Sequence, residues 1–300
     1  MALTLIVITG PTGVGKTELT LRVAKHYGIP VINADSRQIY KEIPIGTAAP
    51  TSEQQMEVRH FFVGSRSVCD DYSASMYEQE VLRLLQELEE EGHRMALLSG
   101  GSMLYIDAVC KGIDDLPSVH EDVRNTLKQR LDREGLPALV EELRQLDPLH
   151  WEKVDRQNPR RVVHALEICV QTGKPYSSFL SQVPKQRPFD VIKVGLNIER
   201  SELYDRINQR VWQMVEHGLI EEALDMYPFR SRNALNTVGY KEMFDYLDGL
   251  VTLEQTVFRI QSNTRCYARK QLTWYKRDKE MRWFAPDNVE EILNYIDSCL

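Results

Sequence analysis

The sequence predicts an α/β protein in which a parallel sheet with flanking helices is interrupted by a helical insertion domain. Three observations carry that expectation. Leu3 to Ile8 is an unbroken apolar run, the pattern of a strand buried on both faces, and it opens directly into a glycine-rich turn and a helical pattern. Two further short apolar runs, 31–34 and 95–98, also leave through polar or glycine-rich turns, with helical periodicity between them. From Leu116 to Pro188, strand-like runs give way to charged helical periodicity.

Taken in order, the first helix runs from Lys16 to Tyr27, with Gly28 placed to cap its end. Val31 to Ala34 reads as the second strand. Ser75-Met76-Tyr77-Glu78 reads as a capping box for a helix that carries Val81, Leu84, Leu85 and Leu88 on one face and stops at Gly92. Met95 to Leu98 is the third strand, closed by "SGGSMLY". In the insertion, Pro159 opens a helix and Gly173-Lys174-Pro175 stops it. Val191 to Ile198 returns to the sheet, and the helix after it places Leu203, Ile207 and Val211 on one face and Arg206 and Arg210 on another. Helices are expected to fill the remainder. The expected domains are a core of residues 1–115 and 189–300, with a helical C-terminal part, and an insertion of residues 116–188.

The 300 residues carry 42% hydrophobic side chains and no apolar run long enough to span a membrane, so no membrane association and a cytoplasmic location are expected. The five cysteines are scattered and include no C-x-x-C pair, which argues against a disulfide framework or a zinc site. A net charge of -7 argues against nucleic acid. Local balance argues the other way. Residues 259–282 hold eight basic and two acidic side chains, so taking this +6 from the total leaves -13 for the rest of the chain. Tyr267, Trp274 and Tyr275 interleave that stretch, a combination suited either to RNA phosphates and stacked bases or to an amphipathic helix with its aromatics packed inward.

"GPTGVGKT", from Gly10 through Pro11, Thr12, Gly13, Val14, Gly15 and Lys16 to Thr17, matches G-x-x-x-x-G-K-[ST] between a strand and a helix, so the sheet is of the P-loop NTPase-like kind. Successive loop N–H groups and the helix N-terminus suit phosphate oxygens, Lys16 adds a charge, and the Thr17 hydroxyl suits Mg2+. Such a loop takes any small di- or triphosphate. Nucleotide hydrolases usually place an acid at a later strand end, but the 95–98 run ends in Ser99. The acid at a strand end is Asp35, in "VINADSRQIY". Its position suits a magnesium organiser, a substrate-orienting acid, a general base, or the cap of a turn.

Several stretches together resemble the tRNA dimethylallyltransferases, also called tRNA isopentenyltransferases, of bacterial type. They are "GPTGVGKTELT" (10–20), "INADSRQIYKEIPIGTAAP" (32–50), "SGGSMLYIDAVCKGI" (99–113), "QNPRRVVHALEI" (157–168), "ERSELYDRINQRVWQMVEHGLIEEA" (199–223), "NTVGYKE" (236–242) and "NTRCYARKQLTWYKRD" (263–278), in family order. The resemblance implies transfer of a dimethylallyl group from dimethylallyl diphosphate to N6 of adenosine 37, beside the anticodon of a tRNA, with release of diphosphate. It implies Asp35 as base, and the phosphate loop, Arg210 and Mg2+ as stabilisers of the diphosphate. It also implies tRNA contacts from Asp35, Ser36, Arg37 and Gln38, from Ser102, which stands where threonine is common, from Gln157, Asn158, Pro159, Arg160 and Arg161 in the insertion, and from Gly239, Tyr240 and Lys241. The partners expected are the tRNA anticodon arm and dimethylallyl diphosphate, with the enzyme a monomer. Ala49 stands where many members have lysine, and "HFFVG" (60–64) where they have His-His-Leu-Ile-Asp. Two other enzymes use such a loop: a small-molecule or nucleotide kinase, which leaves "QNPRR" unexplained, and an adenylate isopentenyltransferase acting on free nucleotides.

Overall fold

Successive apolar residues of the first strand face two opposite layers. In the computed structural model, which describes residues 3–114, 116–117, 119–181 and 185–300, β1 (Thr4–Thr9) lies inside a six-stranded sheet. Leu5 and Val7 join one core with helices 74–90 and 103–111. Ile6 and Ile8 join another with helices 16–27 and 289–299. A strand covered on both faces cannot alternate apolar with polar, hence the unbroken run.

The other strands are β2 (Val31–Asn33), β3 (His60–Phe61), β4 (Met95–Gly100), β5 (Asp190–Leu196) and β6 (Arg282–Phe284). They pair in parallel in the order β3-β2-β4-β1-β5-β6. The carboxyl ends of β1, β2 and β4 therefore open side by side, where ligands of such sheets bind. A third core packs Ile39 and Ile43 against helices 200–216, 219–226, 240–247 and 253–275.

The structure corrects several expectations. β6 lies in the stretch expected to be helical throughout, and with β3 it was illegible because two or three residues carry no periodicity. The helix expected to be boxed at Ser75 begins at Ala74, capped by Ser73, whose side chain accepts from Met76 N–H. Glu78, the supposed partner in that box, is buried and pairs instead with Arg187 at 2.5 Å. The chain divides into residues 1–111 with 186–300 and residues 112–185, both boundaries lying three or four residues before those expected; Asp115, where one of those fell, lies outside the described residues. The unit 112–185 has its own core, which includes Leu127, Leu139, Leu143, Val162 and Leu166.

Candidate active site

At the end of β1 the chain must turn so that backbone N–H groups face outward. Gly15 does this at φ +102°, a left-handed conformation costly for other residues, and starts helix 16–27. Gly10, Pro11 and Val14 are buried, so they shape the loop, whereas Thr12, Gly13, Gly15, Lys16 and Thr17 line a cavity of about 370 Å³. Lys16 Nζ donates to Gly10 O at 3.0 Å and Pro11 O at 2.8 Å. Burial, with the positive charge of Arg210 adding and Asp35 opposing, lowers its pKa to about 7. The Thr17 hydroxyl is on the cavity wall and makes no hydrogen bond to a described residue.

Helix 200–216 brings two arginines to the same cavity. Arg206 is tied to Glu202 at 2.7 Å and reaches Val14 O at 3.5 Å. Arg210 makes no hydrogen bond or ion pair with a described residue. Burial presses its pKa down while Asp35 opposes that. A guanidinium without a partner among the described residues, beside a phosphate loop, suits an anion.

Asp35 stands just beyond β2 on the same cavity. Its Oδ1 accepts from the N–H of Arg37 at 2.9 Å and of Gln38 at 3.4 Å, so it does cap the turn. Oδ2 has no partner among the described residues. One oxygen is anchored and the other is free, which suits a base.

The residues expected to meet RNA divide by burial. Ser102 is 7% exposed, and its hydroxyl accepts from Ser36 N–H at 2.7 Å while donating to Ser36 Oγ at 3.0 Å, so it holds the Asp35 turn and is not an open contact. Arg37 donates to Asn233 O and Ala234 O, and Gln38 donates to Thr47 O and Ala48 O. Gly239 and Tyr240 are buried, which removes them as surface contacts. The Tyr240 hydroxyl donates to Glu222, whose carboxylate also takes the N–H groups of Ile45 at 2.8 Å and Gly46 at 2.7 Å. Burial and Glu222 together push the Tyr240 pKa well up. Lys241 stays exposed. In the unit 112–185, Asn158 caps helix 159–172 by accepting from Arg161 N–H at 3.4 Å, while Gln157, Pro159, Arg160 and Arg161 are exposed.

The aromatic side chains of the basic stretch are committed within the fold, whereas all its basic residues but Arg265 are exposed. Trp274 donates to Asp107 at 2.7 Å, Tyr275 is buried, and Tyr267 is half-buried near enough to Asp35 that its hydroxyl, already raised by burial, is pushed up to about 12. The sequence reading missed Gln271, which binds Thr12 N–H and Gly101 O, and the cavity-lining Thr47, Gln54 and His60. Glutamine at position 271 sat unremarked among basic neighbours; its four-residue spacing from Tyr267 was the available signal.

β4 ends in Ser99, whose hydroxyl is engaged with Thr20 at 2.6 Å, and Gly100, so no second acid faces the loop from that strand. A phosphate loop with a buried lysine and a nearby arginine, faced by Asp35 from the end of β2, two strands away across β4, is the arrangement of a phosphate-loop enzyme of group transfer.

The model of a family described as IPP transferase matches residues 38–278. The chain is 56% identical over 292 residues to tRNA dimethylallyltransferase 2 of Parabacteroides distasonis, covering 97% of each. It is 54% identical to tRNA dimethylallyltransferase 1 of Bacteroides fragilis, covering 100% of this chain and 99% of that one. It is similar to the crystal structure of tRNA isopentenylpyrophosphate transferase from Bacillus halodurans, with a TM-score of 0.72, 36% identity and coverage of 98% and 96%. It is also similar to a eukaryotic dimethylallyltransferase captured acting on tRNA, with a TM-score of 0.75, 25% identity and coverage of 91% and 70%. The chain belongs to the IPP transferase family, the tRNA dimethylallyltransferases.

Proposed function

We propose that the phosphate loop, Lys16 and Arg210 hold the diphosphate of dimethylallyl diphosphate, and that Asp35 receives the proton lost by the accepting amine. The enzyme is a prenyltransferase that modifies tRNA, moving the dimethylallyl group to N6 of adenosine 37. The N6 lone pair is delocalised into the ring, so the amine becomes a usable nucleophile only when its proton has a destination. As N6 bonds to the allylic carbon, the carbon–oxygen bond breaks, diphosphate carries the electron pair away, and the proton passes to Asp35 Oδ2. Loop N–H groups, Lys16 and Arg210 stabilise the leaving charge.

The observation that carries this reading is the half-anchored Asp35 sharing one cavity with an unpaired Arg210. The exposed Thr17 hydroxyl is a hard oxygen donor on the cavity wall, which fits Mg2+, and Thr17 is the residue that would hold it. When bound, the ion would neutralise leaving-group charge. The target base must leave its stack to reach Asp35. Ser36, Arg37 and Gln38 are proposed to meet that base, and Lys241 together with Gln157, Pro159, Arg160 and Arg161 the anticodon arm, with the enzyme a cytoplasmic monomer. No helix of the described residues is long and apolar enough to cross a membrane.

Incubating the protein with Mg2+, dimethylallyl diphosphate and unmodified tRNA should yield N6-dimethylallyladenosine by nucleoside mass spectrometry. Consumption of ATP with a small acceptor, and no modified tRNA, would return the chain to the kinases. Product on free adenine nucleotides in preference to tRNA would make it an adenylate isopentenyltransferase.

A further inference from the structure

Gln271 is fully buried, at 0% exposure, on helix 253–275. Its Oε1 accepts from Thr12 N–H at 2.9 Å, and its Nε2 donates to Gly101 O at 2.8 Å. Thr12 belongs to the loop after β1 and Gly101 to the turn after β4, neighbouring strands in the sheet. One amide therefore fastens together two turns that line the same cavity. The fit is close from the other side too. A Cβ on Gly101 would fall 2.5 Å from Gln271 Nε2 and 3.9 Å from Lys16 Nζ, so the glycine there makes room for the amide.

The Thr12 N–H is a loop donor already committed to Gln271, which fixes how the loop enters its curve. The same helix also grips the helix bearing Arg206 and Arg210. Arg265 donates to Asn208 Oδ1 at 2.5 Å, and Arg269 donates to the Tyr204 hydroxyl at 2.9 Å. Both walls of the anion cradle thus hang from one helix. Its basic side chains look like an RNA surface in sequence, yet its inward face serves the donor.

We propose that Gln271 is a positioning residue for the prenyl donor: it sets the phosphate loop against the Gly100–Gly101 turn so that the diphosphate is bound, and it acts on donor affinity and not on tRNA. This rests on the reading of the loop as the diphosphate site. Its two contacts together need a neutral amide, since a carboxylate could accept from Thr12 but would oppose Gly101 O.

The test compares Gln271→Met, Gln271→Glu and Lys16→Ala in the full chain. It measures KM for dimethylallyl diphosphate, inhibition by inorganic diphosphate, KM for tRNA and the melting temperature. Gln271→Met should weaken donor binding and diphosphate inhibition about tenfold, the scale of unmet buried hydrogen bonds, with KM for tRNA unchanged. Gln271→Glu keeps an acceptor for the Thr12 N–H but loses the donor to Gly101 O, so it too should weaken donor binding and diphosphate inhibition with KM for tRNA unchanged. The glutamate variant decides the matter even if the methionine variant does not fold. The proposal is overturned if neither variant alters donor binding, or if KM for donor and KM for tRNA rise together as the melting temperature falls. If Lys16→Ala weakens donor binding while both glutamine variants bind normally, only the role of Gln271 falls. If Lys16→Ala also binds donor normally, the diphosphate site itself is misplaced.

Discussion

At the phosphate loop the charged groups are left poised, with Arg210 lacking any partner among the described residues and Lys16 donating only to loop carbonyls. Around Asp35 the polar groups are already engaged: Ser36 with Ser102, Arg37 with Asn233 and Ala234, Gln38 with Thr47 and Ala48. The contrast follows from what each end must recognise. A diphosphate brings two or three charges and can organise loose cations around itself, so unpaired donors are an advantage there. A base entering beside Asp35 brings no charge, so the carboxylate must be held in place beforehand by its own turn.

The acid end should therefore fail by losing chemistry and the loop end by losing substrate. Asp35→Asn keeps an oxygen for the Arg37 N–H but has no basic site, so turnover should fall on the order of 10²- to 10⁴-fold with tRNA affinity intact. Single-turnover rates and filter binding separate the two, and a nearly normal rate would reduce Asp35 to the cap of a turn. Arg210→Gln should cost about 10²- to 10³-fold in kcat/KM for the donor, again without loss of tRNA affinity. If tRNA affinity fell as far, the division between the two ends would be wrong.

A smaller effect comes from pH. In the free enzyme Lys16 titrates at about 7, because burial and Arg210 outweigh Asp35. The protonated form is the one that attracts diphosphate, so donor kcat/KM should be full below neutrality and fall about tenfold per pH unit above it. A bound diphosphate raises the lysine again, so donor binding above neutrality should take up a proton. Calorimetric titrations in buffers of differing ionisation enthalpy read that uptake directly; no uptake would mean that Lys16 is already charged without donor.

How much of this was legible in the sequence depended on whether a residue's role was local. Gly10 to Thr17 could be read because backbone curvature, charge and hydroxyl follow from residue types at fixed spacing. Asp35 could be placed at a strand end, and its turn-capping bonds reach only two and three residues along. Gln271 could not, because its partners lie 259 and 170 residues away. Ser75 and Ser73 look equally good as helix caps, and the choice was made by Arg187, which draws Glu78 into the core from 109 residues away. β3 and β6 were missed because a strand of two or three residues is defined by its neighbours in the sheet, not by its own pattern.

Gly239-Tyr240-Lys241 shows the same division within three residues, and it yields the smallest effects. Tyr240 is 0% exposed and supports the carboxylate that holds Ile45 and Gly46, so Tyr240→Phe should cost about 1–3 kcal/mol of stability by leaving a buried acceptor short of one donor. Its tRNA affinity at a temperature where the variant is folded should be that of the parent. Lys241→Ala should behave in the opposite way, with an unchanged melting temperature and slightly weaker tRNA binding. Because an exposed lysine acts on RNA mainly through a phosphate, the slope of log affinity against log salt should fall by about 1. If instead Tyr240→Phe weakened tRNA binding and Lys241→Ala left the slope alone, the segment would read RNA from its buried side. The Glu222 network would then have to open when tRNA binds.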